Sequence, residues 1–210
     1  MSWAKKTLKE FQDALASDAP TPGGGSAVGV ALGQAAALSI MVCDLTLTSE
    51  KYKDGWSISK SVKEIATPLL TLGLDLSLRD SEAFDEVVDS FRLPKDTEEE
   101  KLDRRLAIRK ATLGAAEVPY QTAQSALDLL KLLPELAEKG NSNAVSDTGV
   151  AGLLASTALK GAVFNIQINL QSLPDDYGVE IRKNLPSLIE EGRLYSRKCM
   201  DVVRMQLADS

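Results

Sequence analysis

Carboxylates and amides set beside a glycine-rich turn are the side chains in this sequence that could do chemistry. Histidine is absent from all 210 residues. That excludes Ser-His-Asp and Cys-His nucleophiles and every His-bearing zinc site. Proton transfer falls instead to Asp, Glu, Lys, Tyr, Ser or the backbone. Cys43 and Cys199 form no CxxC unit and cannot make a metal site by themselves. Cys43 lies in an apolar run and reads as a buried thiol.

Four constellations could carry a reaction. Pro20-Thr21-Pro22-Gly23-Gly24-Gly25-Ser26 opens directly into an apolar helix. Its prolines stiffen the entry, and its glycines let backbone N–H groups approach an anion or a carbonyl oxygen at the positive end of the helix. It is neither a P-loop nor GxGxxG, and Ser26 could simply cap the helix. Asp80-Ser81-Glu82-Ala83-Phe84 reads as an acidic helix start. In a chain without histidine, Asp80, with Glu82 in reserve, becomes a leading general acid or base. Gly140 to Asp147 (GNSNAVSD) clusters Asn141 and other amides with Asp147. There an acid caps a helix or accepts paired N–H donors from a heterocycle. Asn165 and Asn169 share one face of the apolar run FNIQINL, where their amides bond another helix or line a pocket.

The elements that must position these residues are helical almost throughout. Apolar spacing predicts helices over 3–16, 26–48, 57–78 and 80–91, with Pro68 kinking the third. RLPKD is a turn, and Thr97 with Glu100 is a capping box that starts a helix running toward Leu133 with a kink at Pro119. Lys139-Gly140 marks a helix end. Further helices cover 148–170 and 177–208. Gly25, Gly29 and Gly33 make a small-residue stripe suited to close helix packing, in the core or between two copies. The expectation is an all-α antiparallel bundle of about six or seven helices, forming one domain over 1–210.

Composition bounds the function. The chain is 44% hydrophobic and 26% charged, so it has material for a core. A net charge of -6 argues against nucleic acid as partner. Residues 27–42 are uncharged but short for a membrane span, and a central bundle helix is the better reading. The charged, amphipathic opening MSWAKKTLKEF carries no secretory signal, so a cytoplasmic setting is expected.

PTPGGGS, DSEAF, RLPKDTEEEKLDRR, AAEVPYQTA, GNSNAVSD and FNIQINL, in this order, resemble the cyclodeaminase domain of formiminotransferase-cyclodeaminase and the stand-alone bacterial methenyltetrahydrofolate cyclohydrolases. The likeness spans about residues 8–175. It implies a helical homodimer that binds folate in a cleft at or near the dimer interface, with no metal and no cofactor beyond the folate substrate. It implies that Asp80 shuttles protons and that Asp147, with Asn165 or Asn169, holds the pterin amide edge. The amides of Gly23, Gly24, Gly25 and Ser26 would position polar atoms, and Lys51, Arg104 or Arg105 would meet the glutamate tail. This chain has no formiminotransferase domain, so a formimino group would have to come from a separate partner. Asp44 stands where the family pattern often has Asn.

Overall fold

The computed structural model describes residues 3–208. Six α-helices form an all-helical bundle: α1 (Leu8–Leu15), α2 (Gly24–Leu47), α3 (Trp56–Phe91), α4 (Glu98–Lys139), α5 (Val145–Gln171) and α6 (Val179–Ala208). Short 3-10 turns occupy Trp3–Lys5, Glu50–Gly55 and Ser142–Ala144. There is no strand among the described residues.

The chain's own signals set several boundaries. Thr97 caps α4: its hydroxyl accepts from the Glu100 N–H at 3.1 Å, while the Glu100 carboxylate accepts from the Thr97 and Asp96 N–H groups at 2.9 and 2.8 Å. Thr7 and Glu10 repeat the same exchange at α1. At the far end of α4, Lys139 lies in the last turn and the Gly140 N–H donates to Leu136 O. A β-carbon at residue 140 would meet that same carbonyl at 2.5 Å, which is why the position is glycine.

Two sequence expectations fail here. No break separates 57–78 from 80–91: α3 is one 36-residue helix that continues through Pro68. Asp80 is therefore a mid-helix residue and not part of a helix start. α4 runs through Pro119 and Pro134 to Lys139, where Lys139-Gly140 marks a helix end. Tertiary packing on both sides outweighs the local cost of each proline.

Leu129, Leu130, Leu133 and Leu136 of α4 are fully buried and pack with Leu32 and Val42 of α2, Val62 and Leu76 of α3 and Ile166 of α5. Each such leucine contributes roughly 1.5–3 kcal/mol on burial. The glycine stripe of α2 meets α3. A β-carbon on Gly73 would sit 2.6 Å from Gly29 O and 2.8 Å from Gly33 N, and one on Gly29 would sit 2.7 Å from Gly73 O. The two backbones touch there, and this contact sets the register that brings the start of α2 beside Asp80.

Both cysteines are buried, and burial pushes the Cys43 and Cys199 thiols up to about 12. α2 and α5 are apolar all round, and each is long and apolar enough to cross a membrane by length and composition. About half of each apolar window is packed inside the bundle. The rest faces outward: Met41 and Leu45 on α2, and Val150, Leu153, Phe164 and Ile168 on α5. Phe164 is 70% exposed and Ile168 64%, which is unusual for neighbouring large side chains on one helix.

Candidate active site

The prolines and glycines of the 20–25 turn leave the first N–H groups of α2 without helical partners. Gly23 is the N-cap, with extended backbone and no side-chain capping bond. Ser26 is thus not the cap expected from the sequence. It lies one turn inside, fully buried, and its hydroxyl donates to Asp80 Oδ2 at 3.1 Å. Gly25 is tied to the same carboxylate sterically. A β-carbon there would fall 1.9 Å from Asp80 Oδ1, so only glycine leaves room for the acid. Asp80 reaches across from α3 and sits at the positive end of α2.

Burial raises the Asp80 carboxyl above its ordinary range, and hydrogen bonds from the Ser26 hydroxyl and backbone N–H pull it partly back. This acid faces a cavity of about 360 Å³. The glycine turn forms one wall. Asp80, Phe84 and Val87 of α3 form a second, at helical spacing. Asn165, Ile168, Asn169 and Ser172, from α5 and the residue after it, form a third. The Asn169 amide donates to Ala115 O at 2.8 Å and Asn165 O at 2.9 Å, and the Asn165 amide donates to Gly161 O at 2.9 Å. Asn169 thus spends both amide N–H groups on backbone, and Asn165 spends one. Their side-chain oxygens have no donor among the described residues and are left as acceptors for a ligand. The site therefore joins a desolvated carboxylate, helix-end N–H donors, two amide acceptors and an apolar wall.

A second cavity, of about 400 Å³, meets the first at Ser172 and is lined by Lys95, Lys101, Arg104, Arg105 and Arg109. Arg104 is partly committed: it lies over Phe91 and donates to Phe91 O at 3.0 Å.

The structure brings together Asp80, Gly23, Gly24, Gly25, Asn165 and Asn169, with Ser26 behind them and Arg104 and Arg105 next door. It does not bring in the rest. Glu82 is exposed and absent from the cavity wall, because two residues along a helix turn it to another face. Asp147 and Asn141 lie at the opposite end of the bundle. Eighteen residues of α5 separate Asp147 from Asn165, about 27 Å at the helical rise. Lys51 also lies at that end, over the Tyr52 ring. Asn141 serves the fold there, accepting from the Asn143 N–H and donating to Leu45 O. Asp44 pairs with Lys63, away from the cavity. Val87 and Ser172 were not singled out from the sequence, and Phe84 and Ile168 entered only as parts of DSEAF and FNIQINL, although each lies three, four or seven residues from Asp80, Asn165 or Asn169.

A family model described as formiminotransferase-cyclodeaminase matches residues 7–185. The chain belongs to this family. It is 36% identical over 203 residues to a methenyltetrahydrofolate cyclohydrolase of Methylorubrum extorquens, covering 96% of this chain and 98% of the relative. It is 29% identical to a formimidoyltransferase-cyclodeaminase of Sus scrofa, covering 93% of this chain and only 36% of that longer protein. Its fold matches the crystal structure of formiminotetrahydrofolate cyclodeaminase from Thermotoga maritima with a TM-score of 0.80 and 31% identity, over 98% of both chains. The motifs that suggested the family in the sequence fall mostly on the walls of the first cavity.

Proposed function

We propose that this family member is a folate one-carbon enzyme that hydrolyses 5,10-methenyltetrahydrofolate to 10-formyltetrahydrofolate. The observation that carries the reading is Asp80: a desolvated carboxylate held at a helix N-terminus on the wall of a cavity. The near-full-length likeness to a cyclohydrolase supports it. In the reaction a water oxygen adds to the bridging carbon, and its proton passes to Asp80. The hydroxyl on the tetrahedral carbon then gives up its proton as the bond to N5 breaks, N5 takes a proton, and the carbon remains on N10 as formyl. One proton is released overall. A carboxylate whose pKa is raised by burial is a stronger base than an exposed one. The free N–H groups at the start of α2 stabilise oxygen as charge develops on it. The cationic cavity beyond Ser172 suits the glutamate tail.

Cyclodeamination of 5-formiminotetrahydrofolate is the second reading, favoured by the Thermotoga neighbour of equal length. It passes through the same tetrahedral carbon and would need a separate formiminotransferase to supply the substrate. A paired assay on the purified chain separates the two. Faster-than-spontaneous loss of the near-ultraviolet absorbance of 5,10-methenyltetrahydrofolate is the expected result. Ammonia and methenyl product from 5-formiminotetrahydrofolate alone would reverse the order.

The working unit in this proposal is a homodimer packed through the exposed faces of α2 and α5. Two antiparallel copies related near Thr157 would cover Val150 with Phe164 and set Asp147 of one opposite Gln167–Asn169 of the other. Asp147, remote within its own chain, would then serve the second copy's cavity. The check is complementation. Asp80→Asn and Asp147→Asn, each nearly inactive alone, should recover about a quarter of wild-type activity after subunits are mixed, because half the random dimers hold one intact site. No recovery, with exchange demonstrated, would place Asp147 outside the second copy's cavity.

A further inference from the structure

Behind Asp80 runs a chain of donors that the reaction scheme leaves unused. The Trp3 indole N–H donates to Ser81 Oγ at 3.1 Å. Ser81 Oγ lies 3.0 Å from Ser26 Oγ, and Ser26 Oγ donates to Asp80 Oδ2 at 3.1 Å. Ser26 and Ser81 are both buried, and Trp3 packs edge-on against Phe11 at 5.7 Å. The Ser26 hydroxyl has one proton to give, and either Asp80 or Ser81 could take it. A donor already on Ser81 makes that oxygen a poorer acceptor and its own proton a better donor toward Ser26, since linked hydrogen bonds polarise one another. The Ser26 proton is thereby directed to the carboxylate. Ser81 has one other outlet, a long contact to Ser77 O at 3.5 Å.

We propose that Trp3 is a positioning residue for Asp80, acting through Ser81 and Ser26 to keep the Ser26 proton on Oδ2 and leave Oδ1 to the reaction. This rests on Asp80 as the proton carrier. No charged side chain competes with the relay. The first turn of α2 carries none, and α4 and α5 present Ala115, Asn165, Ile168 and Asn169 to the cavity, none of them charged. On α3, Arg79 is engaged by Asp75 and Gln121, and Glu82 is turned outward. On the N-terminal segment, Lys6 lies 4.0 Å from Glu10 and Lys5 is exposed.

Trp3→Phe in the full-length chain removes the donor and keeps a ring against Phe11. With 5,10-methenyltetrahydrofolate as substrate, kcat should fall about three- to tenfold and the acid limb of its pH profile should move up by about half a unit. KM and Tm should stay close to wild type. Ser81→Ala should move the limb in the same direction, and the double variant should be no worse than the more impaired single one. An unmoved limb in both variants, whether or not kcat or Tm falls, would overturn the proposal, because loss of packing alone does not shift a titration. Asp80→Asn is assayed alongside. Full activity in that variant would sink the reading of Asp80 itself, whereas an inactive Asp80→Asn with unmoved limbs would sink only the role of Trp3.

Discussion

Asp80→Asn should lower turnover by about 10²–10⁴-fold, the usual contribution of a positioned acid or base, while substrate still binds and raises the melting temperature. The asparagine oxygen can still accept from Ser26, so the cavity keeps its shape. It cannot take a proton from water. The same substitution should stabilise the free protein at neutral pH. Asp80 has its folded pKa raised by burial. Between the ordinary carboxylate pKa and that raised value, the folded state binds more protons than the unfolded state, so stability falls as pH rises through the window. Above the window the cost is complete, and asparagine removes it. Below the unfolded-state pKa both forms are protonated or neutral, and the gain vanishes. Melting curves of the two proteins from pH 3 to pH 8 check the sign. A wild-type advantage at pH 8 would mean that the carboxylate is stabilised where it sits. In wild type, kcat should fall on the acid side at a pH above the ordinary carboxylate range.

Gly73→Ala should be strongly damaging although it lies away from the cavity. The added carbon meets two backbone atoms, Gly29 O and Gly33 N, and neither can rotate away. Alanine recovers about 1 kcal/mol of helix propensity, but forcing α2 and α3 apart costs more, for a net loss of about 1–3 kcal/mol. In a chain of this size that is a fall in Tm of about 2–12 °C. Activity should drop further than stability accounts for, because the same shift moves Ser26 and the helix-end N–H groups away from Asp80. Thermal melting and kcat below the new Tm test the two halves separately. Unchanged kcat in a destabilised variant would mean that the site tolerates the displacement.

The cap and end of α4 and most helical spans could be read from the sequence, because Thr97-x-x-Glu100, Lys139-Gly140 and helical apolar spacing are local signals. Asp80 was legible as chemistry and illegible as structure. Asp-Ser-Glu looks like a helix start, and only the packing of Ser81 and Ala83 against neighbouring elements keeps the helix going through it. Ser26 shows the reverse: a residue suited to capping is drawn inward by a carboxylate 54 positions away. Asn165 and Asn169 were legible as a pair because they share one face. That α5 carries Asp147 about 27 Å from them follows from the rise of a helix once its boundaries are known. Trp3 could not be found at all, since its partner lies 78 residues on and nothing local marks the pair.

The burial of the two thiols has a practical side. At neutral pH a thiol with a pKa near 12 is ionised in only about one molecule in 10⁵, and the thiolate is the form that oxidants and alkylating agents attack. With both sulfurs sealed in the bundle, the chain offers oxidants no exposed thiol. The native chain is also a silent background for thiol chemistry. A single cysteine introduced at an exposed site away from the α2 and α5 faces, such as Lys183 on α6, would be the one sulfur a spin label or fluorophore finds, with no native cysteine to remove first.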